Sequence, residues 1–360
     1  MRFFFLSSHA HYALDPASTR VSGGAELQVA LLAKELVRRG HDVLIAGGDT
    51  GQRDGRLFDG VITRNVGSFH TGRVLDTLCA LPPVVDLLAE YRPTHVCVLG
   101  WTAWLYLFCQ LRPLFGFKVV FICGLDSEID GSFGREHGLR GRLFERGVAS
   151  SDIRFAMSEL QARLFERLGL TCGLYRNLIL PRKEPCSAEK STDLLWVGRC
   201  QRIKRPHLFL DLVEQLPGAS CEMICPREDR DLWASVEKRA SGIQNLKFHE
   251  RIPYHDIQGH YDRARFLVST SEAEGFPNVM IHAGQGRAGI LSLGLDPDGL
   301  IRTFGAGFCA EGSFQRLLER TRALLDDPPK SARMGLGSER MVVEWLDNGR
   351  NTTAFLEGLT

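Results

Sequence analysis

Between Arg2 and Met157 short apolar runs alternate with stretches of helical periodicity, and this alternation narrows the possible folds more than any other feature of the chain. The runs are Arg2–Ser8, Asp42–Ala46, Thr94–Leu99, Lys118–Ile122 and Ile153–Met157, with helical patterns over Glu26–Arg39, Val74–Glu90, Thr102–Leu114 and Leu139–Ala149. A strand buried on both faces reads as a continuous apolar run, and a parallel partner needs a crossover between runs, so the pattern predicts βαβ units. The helix after Gly23-Gly24 can be followed residue by residue. Val29, Ala30, Ala33, Leu36 and Val37 share one face at helical spacing, Gln28, Glu35 and Arg38 are expected to face away, and Gly40 ends the helix as a C-terminal cap.

The pattern breaks near Leu180 into a polar, proline-bearing stretch, Pro181–Ser191, which reads as an interdomain linker. A second α/β series follows: strands at Leu194–Val197, Cys221–Cys225, Leu246–Phe248 and Phe266–Ser269, with helices near Pro206–Gln215, Leu232–Ala240 and His255–Ala264. A chain of 360 residues suits two cores. The expected division is residues 1–180, a linker at 181–191, residues 192–337, and a helix over 338–360 set off by a Gly-rich turn at Gly335 and Gly337 that packs on either domain. The fold class expected is α/β, with two Rossmann-like domains. No short-period repeat points to a solenoid.

A formal net charge of +1 argues against a broad basic field for nucleic acid, so partners must be recognised at a local site. The ten cysteines lie mostly in apolar runs with no repeated Cys-x-x-Cys spacing, as expected of reduced thiols in a cytoplasmic protein. Met1–Leu6 is too short for the apolar core of a signal peptide and reads better as a first buried strand. No segment approaches the roughly 18–20 apolar residues of a membrane span.

Chemistry-bearing residues collect at the ends of the expected strands. Gly23-Gly24 precedes a helix in the first βα connection, where glycine lets a phosphate reach the backbone and the helix N-terminus supplies N–H groups; a plain flexible turn is the alternative. Val197-Gly198-Arg199 and Lys204 place two cations at the mouth of a strand-to-helix loop, suited to a diphosphate leaving group, although Arg202 and Arg205 beside them also fit a solvated basic loop. Glu272 and Glu274 follow Phe266–Ser269, with Gly275, Phe276, Pro277 and Asn278 opening the next helix. A carboxylate there can accept sugar hydroxyls or balance positive charge in a transition state. Asp126 and Glu128 follow Lys118–Ile122 and suit contact with an acceptor hydroxyl, with loop capping as the simpler reading. His9 and His11 follow the first strand as further candidates. The sequence has no metal cage, Gly-x-Ser-x-Gly elbow or Walker lysine.

Gly23-Gly-Ala-Glu26, Asn177, Val197-Gly-Arg199 with Lys204-Arg-Pro206, Ser271-x-x-Glu-Gly-Phe-Pro-Asn278 and Asp296-Pro-Asp-Gly-Leu-Ile301 occur in an order and spacing that resemble the family 4 retaining glycosyltransferases (glycosyl transferases group 1). The resemblance runs across almost the whole chain. It implies the GT-B architecture, two Rossmann-like domains facing a central cleft, and transfer of a sugar from a nucleotide-sugar donor to a glycan or glycolipid acceptor with retention of configuration. By the resemblance Arg199 and Lys204 bind the donor diphosphate, Glu274 and the Gly275–Asn278 backbone hold the sugar and phosphate, and Gly24 meets the diphosphate; Gly23, Gly198 and His282 are further expected to line the donor site, and Asp126 to serve catalysis with Arg199, Lys204 and Glu274. It implies no metal and no cofactor beyond the donor substrate. At the family's second glutamate, eight residues after Glu274, this chain has His282, and Arg287 and Gly289 stand where the family has glycine and proline.

Two function classes follow: an active glycosyltransferase of a polysaccharide or glycolipid pathway, and a degenerate glycosyltransferase-like protein that binds a partner or nucleotide sugar without catalysis. A dinucleotide-dependent oxidoreductase would need a Gly-x-Gly-x-x-Gly after the first strand, which is absent. Lipid-linked acceptors would place the protein at the cytoplasmic face of the membrane, where Arg135, Arg140, Arg142 and Arg146 offer a basic surface to anionic lipid. Nucleic acid is not an expected partner, and oligomeric state is open.

Overall fold

The computed structural model describes residues 1–15, 18, 23–48, 56–67, 69, 74–180, 182 and 184–359. Met1–Leu178 together with Asn348–Thr360 form one compact unit, and Ile179–Asp347 form a second. In the first, strands β1 (Arg2–Leu6), β2 (Asp42–Gly47), β3 (Arg56–Phe58), β4 (Val61–Asn65), β5 (His95–Leu99), β6 (Lys118–Ile122), β7 (Ile153–Ala156) and β8 (Gly173–Leu174) form one sheet in the order β3-β4-β2-β1-β5-β6-β7-β8. Every pairing is parallel except the β3–β4 hairpin. The apolar run at the start of the sequence is thus a central strand: Phe4 pairs with Leu44 on one side and Val96 on the other, and Phe3, Phe4 and Phe5 are fully enclosed.

The helix Gly24–Arg38 packs on this sheet and is capped by Gly40 at φ +81°, a left-handed conformation that glycine adopts without steric cost. One expectation for its outer face is corrected. Gln28 is buried, donating from Nε2 to Leu178 O at 3.0 Å and accepting at Oε1 from Leu178 N–H at 2.7 Å. Its amide supplies one donor and one acceptor, which satisfies a buried peptide group with no strand beside it. The long connection His9–Ser22 contains a helix at Ala10–Leu14, and its residues 16, 17 and 19–22 lie outside the described residues.

In the second unit β9 (Thr192–Val197), β10 (Cys221–Ile224), β11 (Leu246–His249), β12 (Ala264–Ser269), β13 (Gly289–Ser292) and β14 (Gly307–Cys309) form an all-parallel sheet in the order β11-β10-β9-β12-β13-β14. Alternate strand residues feed two cores. Leu194, Trp196, Phe266 and Val268 meet Phe209 and Leu212 on one face, while Leu195, Leu267 and Ile290 meet Met280 and Ile281 on the other. This is the doubly wound order, in which the chain reverses direction between β9 and β12 and leaves a crevice beyond their carboxyl ends.

Two further expectations change here. Gly335 and Gly337 do not form a turn but lie inside the helix Pro328–Trp345. A Cβ at Gly337 would stand 2.5 Å from Gly305 O and 2.6 Å from Phe304 O, so these glycines mark a close backbone crossing rather than a break. The stretch expected as a linker is fastened to the second unit. Arg182 Nη1 reaches Asp262 Oδ1 at 2.6 Å, and Lys190 Nζ reaches Asp262 O at 2.9 Å and Gly286 O at 2.6 Å; Pro181 and Lys183 lie outside the described residues. Among the described residues no helix is long and apolar enough to cross a membrane.

Candidate functional site

Beyond β9 the chain runs through Gly198 and Arg199, makes a single tight turn at Arg202–Lys204, and enters the helix Pro206–Glu214. Proline at the first helical position costs no hydrogen bond, and its fixed φ begins the helix. Gly198 is required by packing, because a Cβ would lie 2.9 Å from the Trp196 ring. Beyond β12, the neighbouring strand, the chain runs through Thr270–Pro277 into the helix Asn278–Gln285. The switch in strand order sets these two loops side by side.

They are tied together by backbone and side chain. Glu272 N–H donates to Ile203 O at 2.8 Å, and the Thr270 hydroxyl donates to Lys204 O at 2.6 Å while accepting from Trp196 Nε1 at 2.9 Å. Arg205, left-handed at φ 49°, donates from Nε to Thr270 O at 2.8 Å and from Nη2 to Ser271 O at 3.2 Å. The expected solvated basic loop is therefore corrected for Arg205, which is a brace for the β12 loop. Arg202 alone fits the solvated reading, at 90% side-chain exposure.

With the loops fixed, Lys204 Nζ forms a close ion pair with the Glu274 carboxylate, the two side chains 20% and 13% exposed. A pair shielded to this degree is stronger than one at the surface, because less water screens it. The expected grouping of two cations divides. Lys204 faces Glu274, whereas Arg199 is half-exposed and pairs with Glu228 of the loop after β10, Nη1 to Oε2 at 3.1 Å; Gln201 Nε2 also donates to Glu228 at 2.5 Å. The two carboxylates likewise separate, since Glu272 is exposed and Glu274 is not. Sequence pattern alone had no means of finding Glu228, Thr270 or Gln201, whose importance comes from strand order.

Phe276 and Pro277 are buried and anchor the start of the helix Asn278–Gln285, so Gly275 and Asn278 sit where its positive dipole end emerges. His282, one turn further, is held inside the unit. Its Nδ1 lies 2.7 Å from Gln258 Oε1, and its ring stacks on Tyr261 with centroids 5.2 Å apart. Gln258 spends Nε2 on Asp262 Oδ1 at 2.9 Å and His282 O at 3.1 Å, so its oxygen is the atom facing the imidazole. An amide oxygen only accepts, which assigns the proton to Nδ1 and leaves Nε2 as the acceptor nitrogen. Burial lowers the His282 pKa to about 4, so the ring is neutral at physiological pH.

The first unit presents its own strand-end groups. Gly23 is the N-cap of the helix Gly24–Arg38 and Gly24 its exposed first residue, with the Glu26 carboxylate folded over Gly23. Asp126 is half-buried in a single turn, Asp126–Glu128. Glu128 is enclosed, accepting from Gly124 N–H at 2.7 Å and Trp101 N–H at 2.9 Å, so it clamps the loops after β5 and β6 instead of facing an acceptor. Burial raises its pKa to about 7 against the pull of those backbone N–H groups. His11 is buried beside Tyr12, its ring centroid 4.0 Å from the phenol ring, and His9 also stacks on Tyr12.

Residues 23–172 match the model of the glycosyl transferase 4-like domain. The whole fold is similar to that of sucrose-phosphate synthase from Thermosynechococcus elongatus, at TM-score 0.78 and 16% identity over 99% of this chain and 98% of that one. HepE from Anabaena, solved with UDP and glucose, matches at TM-score 0.72 and 16% identity over 100% and 99%. WaaG, a glycosyltransferase involved in lipopolysaccharide biosynthesis, matches at TM-score 0.72 and 13% identity over 99% of each chain. At these identities the structural likeness establishes the fold, two Rossmann-like domains of the GT-B type. No curated protein matches the sequence.

Proposed function

We propose that the chain, whose residues 23–172 match the glycosyl transferase 4-like domain, is a family 4, group 1 glycosyltransferase that moves a glycosyl group from a nucleotide-sugar donor to a glycan or glycolipid acceptor with retention of anomeric configuration. The observation that carries this reading is the shielded Lys204–Glu274 pair beyond β9 and β12. In this reading Lys204 turns to the donor diphosphate and offsets the charge that grows on it as the glycosidic bond breaks, while the released Glu274 carboxylate accepts hydroxyls of the sugar. Arg199 swings from its exposed pairing with Glu228 to the same diphosphate. Gly198, Gly275, Phe276, Pro277 and Asn278 shape the donor pocket, and Asp126 meets the acceptor. The leaving diphosphate stays on the face that the acceptor hydroxyl enters and takes its proton. Charge stabilisation and positioning carry such a reaction, with the cations of the protein in the role that a metal ion fills elsewhere.

Turnover of UDP- and GDP-sugars with a panel of glycan and glycolipid acceptors tests this. Lys204→Ala and Glu274→Ala are each expected to lower kcat by about 10²–10³-fold, as removal of a preorganised charge does elsewhere. Unchanged turnover in both variants would sink the assignment. The anomeric proton coupling of the product reports retention or inversion directly.

His282 favours a second reading, a scaffold that binds without catalysis, because a neutral ring tied to Gln258 offers one acceptor where a glutamate offers a carboxylate. Calorimetric titration with UDP and GDP separates the two. Binding by the wild type supports an intact donor site, and binding only by His282→Glu supports the degenerate scaffold.

A further inference from the structure

Away from the loops of the candidate site, three side chains from three elements of the second unit converge. Glu222 lies within β10, His249 ends the neighbouring edge strand β11, and His260 lies in the helix Tyr254–Arg263 that packs against the same face. Glu222 Oε1 stands 2.8 Å from His249 Nε2 and 2.8 Å from His260 Nδ1, and the three atoms all lie within 4.8 Å of one another. As a hydrogen-bond arrangement this is redundant, since two imidazoles direct a ring nitrogen at one oxygen. As a donor set it is convergent, and two imidazoles with one carboxylate suit zinc-class cations rather than magnesium or calcium.

We propose that Glu222, His249 and His260 form a binding site for a divalent transition-metal ion of the Zn²⁺ class. A tetrahedral ion with bonds of about 2.0–2.2 Å sets its ligands about 3.3 Å apart, so the two Glu222–His separations of 2.8 Å would open by about half an ångström while the two imidazole nitrogens, within 4.8 Å of each other, adjust to the same spacing. His249 side-chain exposure of 32% leaves solvent access and a fourth position for water, while Glu222 at 6% and His260 at 13% are held by the surrounding core. The carboxylate already directs one oxygen at both imidazoles. Each imidazole needs only to move its proton to the other ring nitrogen for its lone pair to face the ion. The three residues are 27 and 11 positions apart, as the numbering shows, which is why no metal motif is visible in the sequence. The bound ion would fasten the edge strand and the helix Tyr254–Arg263 to β10, and that helix also carries Gln258 and Tyr261, which hold His282.

The test is direct titration of the chelator-treated full chain with ZnCl₂ and CoCl₂, followed by calorimetry, thermal unfolding and visible absorption. One equivalent of Zn²⁺ is expected to bind, to raise the unfolding midpoint by about 2–4 °C or more, and Co²⁺ to give the intense ligand-field bands of a four-coordinate site. His249→Gln, at the half-exposed end of an edge strand, keeps a donor for Glu222 and is expected to weaken binding at least about 10-fold, and His249→Gln with His260→Gln to abolish it. MgCl₂ is expected to have no effect. Absence of saturable Zn²⁺ binding to the wild type overturns the proposal, as does binding that is undiminished in the double variant.

Discussion

His282 and His95 are both kept neutral by burial, which lowers each pKa from 6.5 to about 4. The unfolded chain therefore takes up these protons first as pH falls. The stability held in the neutral rings is complete above pH 6.5 and is lost as pH drops from there towards 4. Urea unfolding as a function of pH is expected to show this slope, and His282→Gln, whose amide can still donate to Gln258, to remove about 1–3 kcal/mol of the loss across that window. An unchanged slope in the variant would show that the ring is not buried in its neutral form. The strand-end pattern made Arg199, Lys204 and Glu274 legible in the sequence, and spacing from Glu274 did so for His282. The partners of Arg199 and His282 were not legible. Glu228 and Gln258 look like ordinary surface residues in one dimension and acquire roles only once β10 and the helix Tyr254–Arg263 are placed beside β9 and β12.

Among the elements, the site depends on two loops held in register by Thr270. Its hydroxyl is acceptor to Trp196 and donor to Lys204 O, so Thr270→Val leaves two buried groups unsatisfied. A loss of about 1–3 kcal/mol in unfolding free energy is expected, with turnover reduced through Lys204; unaltered kinetics would show that the loop is held by its other ties. Gly337→Ala should cost about 1–3 kcal/mol by forcing apart the helix Pro328–Trp345 and the backbone at Phe304-Gly305, measurable as a lowered denaturant midpoint. Hydrophobic periodicity located the long strands and helices well, because a strand enclosed on both faces must be apolar throughout. It missed β13 and β14, which are four and three residues long, although it located β10 and β11 at four residues each. It also misread Gly335 and Gly337, since a glycine at a helix crossing and one in a turn are the same letter. The close packing of Gly289 on the Phe266 ring, 2.8 Å from a Cβ placed there, belongs to the same class.

At the scale of the molecule, the chain makes one sheet, then a second, then returns to the first. The helix Asn348–Glu357 brings Phe355 against Phe155, Tyr175 and Phe3, with centroids 4.9, 5.3 and 6.2 Å apart, and Asn351 Nδ2 donates to Asn177 O at 3.2 Å. Phe355→Ala is expected to destabilise the first unit by about 3–5 kcal/mol, the usual cost of emptying an aromatic site in a core, and a thermal scan that matched the wild type would contradict the packing. Synthesis gives this return a temporal meaning. A ribosome delivers Asn348–Thr360 only after all of Ile179–Asp347, so the unit begun first is completed last. Until then its aromatic cluster lacks a wall, and a nascent or stalled chain displays the kind of apolar surface by which chaperones and proteases sort unfinished proteins from finished ones.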